Sequence, residues 1–140
     1  MQVYHKQFRC EVLTPAGPVV KTEAVLARLP LMDGSLGVLA GRAPMMALLG
    51  AGPLEIQKPD GAEDRYFVAG GFAHVRGNSL SILAEQCTPV GELDHQAVTA
   101  EMETANGMPA DSPEQRTRRR RALAVASAKM KLLPGQVSQA

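Results

Sequence analysis

The chain has 140 residues, a formal net charge of +1, two cysteines and an aromatic content of 4%. That length allows one domain, or a small domain with an appendage, around a modest core. Near-neutral charge excludes an overall field that gathers nucleic acid or an acidic membrane surface, and two cysteines make no disulfide framework, so a reduced cytosolic setting is expected.

Tyr4, His5 and Lys6 stand where a signal peptide needs an apolar run, and no stretch approaches the roughly 20 apolar residues that cross a bilayer. Residues 8–13 alternate, with Phe8, Cys10 and Val12 on one face and Arg9 and Glu11 on the other, which predicts a half-buried strand. Thr14-Pro15-Ala16-Gly17-Pro18 breaks it in a turn, and residues 19–29 read as the next strand or a pair of short strands. Pro30 and an Asp33-Gly34 turn lead into residues 34–49, read as a shaped loop because its glycines free the backbone and Pro44 keeps Ala43 out of a helix. Residues 54–58 alternate again and, across a Pro59-Asp60-Gly61 turn, pair with residues 65–69 as a hairpin. Gly70-Gly71 permits a bend or bulge, and Gly77-Asn78 turns the chain into an alternating Ser79-Leu80-Ser81-Ile82. Many short strands at close spacing predict a β-sandwich or flattened barrel over residues 1–86.

After residue 86 the pattern changes, with Pro89 and Gly91 marking a linker over 87–93. Asp94 suits an N-cap, Val98, Met102 and Ala105 fall at helical spacing, and Asn106-Gly107 with Pro109 end the run. Ser112, Pro113 and Gln115 form a second helix start with a capping box, Leu123, Ala126, Met130 and Leu133 make its apolar stripe, and Pro134-Gly135 stops it. The expected fold is therefore mainly β with C-terminal α: a sandwich, an antiparallel helical hairpin over 94–133 and a tail over 134–140.

Residues 87–114 hold two Asp, four Glu and no Lys or Arg, whereas residues 115–140 hold five Arg, two Lys and no acid. Such a pair of helices attracts across its seam, but exposed pairs contribute only about 0–1 kcal/mol each, so the hairpin is expected to be weakly held. Arg116, Arg118, Arg119, Arg120 and Arg121 splay around the helix axis and suit either a solvated turn or docking on an acidic protein surface. A nucleic-acid patch is disfavoured because no aromatic residue accompanies them.

No catalytic constellation is legible. The chain has no nucleophile beside a histidine, no phosphate-cradling glycine loop, and three histidines too scattered for a metal site. Cys10 shares the strand face of Phe8 and Val12 and reads as a core thiol. The stretch 34–49 instead offers apolar side chains on a bent backbone. About half of Met45, Met46, Leu48 and Leu49 are expected to fill the sandwich, with the rest, and Leu36, Val38, Arg42, Ala43, Pro44 and Met45 as the named set, facing a partner.

Three pieces in this order, the stretch from Gly34 to Leu49, then Phe67-Val68-Ala69-Gly70-Gly71-Phe72-Ala73-His74-Val75, then Ser81-Ile82-Leu83-Ala84-Glu85, resemble the epsilon subunit family of bacterial F-type ATP synthase. The resemblance implies a non-catalytic rotor subunit without a cofactor of its own. Its sandwich would bind the γ subunit and rest near the c-subunit ring, peripheral to the cytoplasmic face of the inner membrane and without membrane insertion. By the same resemblance the basic helix would engage the α/β catalytic head through Arg116, Arg118, Arg119, Arg120 and Arg121 and restrain ATP hydrolysis. Ser35 and Arg42 stand where the family commonly has an acidic residue and a histidine. Of the family's hairpin motif for ATP only Arg116 agrees, which leaves nucleotide binding open. A different class, a free-standing module whose basic arm contacts RNA or an acidic protein, is the alternative.

Overall fold

A computed structural model describes residues 6–133, which form eight strands and two helices. The strands are β1 (Phe8–Thr14), β2 (Gly17–Ala24), β3 (Leu26–Leu31), β4 (Gly34–Val38), β5 (Met45–Leu48), β6 (Gly52–Gln57), β7 (Glu63–Arg76) and β8 (Ser79–Pro89). They join in the order β2-β1-β8-β7-β6-β3-β4, with β5 also paired to β7. All neighbours are antiparallel except β1 and β8.

β7 is the element that makes one sheet into two layers. Its first half pairs with β6 through Val68 opposite Gly52, its second half pairs with β5 from Phe72 opposite Leu48, and the change of partner falls at Gly70-Gly71. Both glycines have left-handed backbone, φ +73° and +92°, which is costly for any residue with a Cβ. β8 follows β7 along both halves. Between the layers lie Cys10 and Val12 of β1, Leu29 of β3, Val38 of β4, Leu54 and Ile56 of β6, Val75 of β7, and Leu80 and Ile82 of β8. Each aliphatic side chain buried there contributes roughly 1.5–3 kcal/mol. The β1 alternation read from the sequence thus packs its odd-numbered partner set, Arg9 and Glu11, outward.

Two features differ from the sequence reading. The stretch 34–49 is not one loop: β4 closes a hairpin on β3 through Met32-Asp33, a loop covers 39–44, and β5 lies along β7. Three glycines and a proline punctuate its sixteen residues, yet a strand of four or five residues needs only a ready neighbour to pair with, and β3 and β7 supply them. Residues 87–89 are the end of β8 rather than linker, and residues 90–92 form one 3₁₀ turn. Pro89 is tolerated because it closes the strand opposite Tyr66, where a missing N–H breaks no inner ladder.

The second unit, after Pro89, holds α1 (His95–Asn106) and α2 (Pro113–Leu132), packed on each other. Asp94 caps α1 by accepting from the Ala97 N–H at 3.0 Å. Ser112 Oγ accepts from the Gln115 N–H at 3.1 Å while Gln115 Oε1 accepts from the Ser112 N–H at 3.2 Å, a complete capping box with Pro113 in the first turn. The stop at Pro134-Gly135 and the tail lie outside the described residues.

Candidate functional site: an apolar sheet face and a divided basic helix

Strand register assembles a surface that the linear sequence disperses. Leu48 of β5 stands opposite Phe72 of β7, Phe72 opposite Leu83 of β8, and Leu83 opposite Leu13 of β1. With strands about 4.8 Å apart, this apolar row runs roughly 14 Å across the face turned away from the core. In the adjoining row Met46 stands opposite His74, and His74 opposite Ser81. Met46 and Leu48 are 61% and 67% exposed and Leu83 is 40% exposed. Leu13 and Phe72 are half-buried beside them, and large apolar side chains left exposed side by side suit a contact surface.

The residues named from the sequence divide. Val38 is only 1% exposed and belongs to the core, so the expectation that it faces a partner is corrected. Strand alternation is the reason: on β4 the inward positions are Leu36 and Val38, the outward ones Ser35 and Gly37. Leu36 and Met45 are half-buried against the same core. Arg42, Ala43 and Pro44 are exposed in the 39–44 loop. Met46, Leu48, Phe72 and Leu83 carry the outward face without having been singled out as a set. β5 reads Met-Met-Ala-Leu, apolar on both faces, so its period gives no contrast by which to tell inside from outside.

The five arginines divide as well. Arg119 Nη2 donates to the carbonyl of Asn106, the last residue of α1, at 3.3 Å, and Arg116 Nη1 donates to the Ala110 carbonyl at 3.3 Å. A cation at the C-terminal carbonyls of α1 also complements that helix's dipole. Arg118, Arg120 and Arg121 are exposed. Further along the seam Lys129 Nζ lies 3.0 Å from Glu101 Oε1. The ties from Arg119 and Lys129 join the two helices of a hairpin in which Val98, Ala105, Ala126 and Leu133 are the buried apolar residues.

Burial pushes the Cys10 thiol up to about 12, with Glu11's charge adding to it, and burial pushes Cys87 up to about 11. Both thiols are therefore protonated at neutral pH and poor nucleophiles. Among the described residues no helix is long and apolar enough to cross a membrane. The arrangement offers contact and docking chemistry rather than bond-making.

Comparison with known proteins agrees on one family. The model of the ATP synthase delta/epsilon chain beta-sandwich domain matches residues 7–90. The chain is 44% identical over 107 residues to the ATP synthase epsilon chain of Rhodopirellula baltica, covering 76% of this chain and 83% of that one. It is 35% identical over 98 residues to the sodium ion specific ATP synthase epsilon chain of Propionigenium modestum, covering 70% and 71%. A chain of the Euglena gracilis mitochondrial ATP synthase OSCP/F1/c-ring assembly superposes with a TM-score of 0.76 at 23% identity, over 91% of this chain and 81% of that one, which speaks for the fold. The resemblance read from the three glycine-bearing stretches is borne out, and the free-standing RNA or acidic-protein module gains no support.

Proposed function

Since this chain belongs to the ATP synthase delta/epsilon family, we propose that its β domain docks on the γ subunit of the central stalk beside the c ring, so that rotation driven by ion flow passes to the catalytic head. It is a non-catalytic subunit of that complex. The observation that carries the docking is the outward row Leu48, Phe72, Leu83 and Leu13, an apolar face on a framework whose core is complete without it. Its place is peripheral, on the cytoplasmic side of a bacterial inner membrane, held by its partners rather than by insertion.

The hairpin is the regulatory part of this proposal. Its second helix restrains ATP hydrolysis by leaving α1 and setting the basic tract against acidic surface of the α/β head. Such a switch needs two states within a few kcal/mol, and a seam with four buried apolar residues, three of them Val or Ala, and two polar ties between the helices supports that reading. Opening releases Arg119 from the Asn106 carbonyl of α1 and adds it to the exposed Arg116, Arg118, Arg120 and Arg121. Replacing all five arginines by glutamine is expected to raise ATP hydrolysis by the assembled complex severalfold while leaving the bound amount of the subunit unchanged. Unaltered hydrolysis would remove the arginines from regulation and leave the docking role intact.

A further inference from the structure

Arg42 is the single charged residue between Asp33 and Glu55. It lies exposed in the 39–44 loop, yet its head is held in place. Nε donates to Met45 Sδ, on the first residue of β5, at 3.3 Å, and Nη1 donates to the Gly37 carbonyl of β4 at 3.3 Å. Neither acceptor is charged, and among the described residues none of the ion pairs involves Arg42. The remaining N–H groups of the fork pair with no acid among the described residues. A fixed, uncompensated guanidinium therefore stands at the start of the strand that presents Met46 and Leu48.

We propose that Arg42 is a preformed receptor for a carboxylate on the rotor subunit that takes the β domain, and that this pair sets the register of docking. The proposal rests on the docking reading above and deepens it. An apolar face can slide on another apolar surface with little change in contact, whereas one charge pair fixes the position and discriminates against wrong partners. Arginine matches a carboxylate with two parallel hydrogen bonds, and a head already held by two acceptors loses little further freedom on binding. Charge complementarity also demands an acid. Covering this cation with apolar partner surface and no counter-charge leaves a desolvated charge unpaired, which opposes docking.

The test uses the full-length chain and a purified complex of α, β and γ subunits, with dissociation constants measured at low and at high salt. Arg42→Gln is expected to weaken binding by about ten- to hundredfold at low salt and to flatten the salt dependence, and Arg42→Lys to recover only part because it lacks the planar fork. Leu48→Asp serves as the control for the apolar face. If Arg42→Gln binds as tightly as the wild type with the same salt dependence while Leu48→Asp fails to bind, the docking reading survives and the Arg42 receptor is overturned. If the wild type itself does not bind the complex, the docking reading falls first and takes the receptor with it.

Discussion

Gly71→Ala is expected to destabilise the β domain by about 2–5 kcal/mol, the sum of roughly 1–2 for left-handed backbone and 1–3 for forced overlap. A Cβ built on Gly71 runs into the Leu83 carbonyl, a backbone group of the neighbouring strand that has no rotamer by which to move aside. Yielding would part β7 from β8 at the point where β7 changes partner. It would also disturb β5, because the Leu49 N–H donates to the Gly71 carbonyl at 3.0 Å. Gly77 supplies the reference: its φ is +61° but a Cβ there meets nothing within 4 Å, so Gly77→Ala carries the backbone cost alone, about 1–2 kcal/mol. Urea unfolding of the two variants beside the wild type, followed by far-ultraviolet circular dichroism, separates the terms. Equal losses in stability would mean that the close approach to β8 has no energetic weight.

Leu48→Asp is expected to leave the fold intact and to cost at least thirtyfold in affinity for the γ-containing complex. At 67% exposure the side chain contributes little to folding, so a change in unfolding midpoint within about 0.5 kcal/mol is anticipated. On docking, the same side chain passes into an apolar contact centred between Phe72, Met46 and Leu83, and a carboxylate there is desolvated without a partner. The loss should persist at high salt, which distinguishes it from the charge pair argued for Arg42. Wild-type affinity in this variant would place the interface on another face of the sandwich.

How much was legible follows from what a period can carry. β1 and β6 alternate apolar with polar residues, so strand and face were both readable from the sequence. The helix caps were readable because Asp94 and Ser112-Pro113-Glu114-Gln115 each have a specific bond to make, and they make it. β4 and β5 were not readable as strands. The glycines of β4, the Pro44 just before β5 and the uniformly apolar residues of β5 give no strand period locally, and only pairing to β3 and β7 overrides that signal. Val38 was misplaced for the same reason, since without knowing that β4 is a strand there is no alternation to send it inward. The contact face is a property of register: Leu13, Leu48, Phe72 and Leu83 lie as far apart in sequence as positions 13 and 83 and meet only because four strands align. Likewise the cation at residue 42 is visible in the sequence, but its fixed head and missing counter-charge are not.

Docking by the β domain and regulation by the helices separate in one measurement on the complex of α, β and γ subunits with two forms of this chain, full length and ending at Pro89, where the first unit closes. Binding and ATP hydrolysis are measured together, with circular dichroism to establish that the shorter form keeps its sheet. Equal affinities for the two forms, with inhibition of hydrolysis by the full-length chain alone, is the predicted result. A folded shorter form that does not bind would contradict it, because docking would then depend on the helices rather than on the apolar face of β5, β7 and β8.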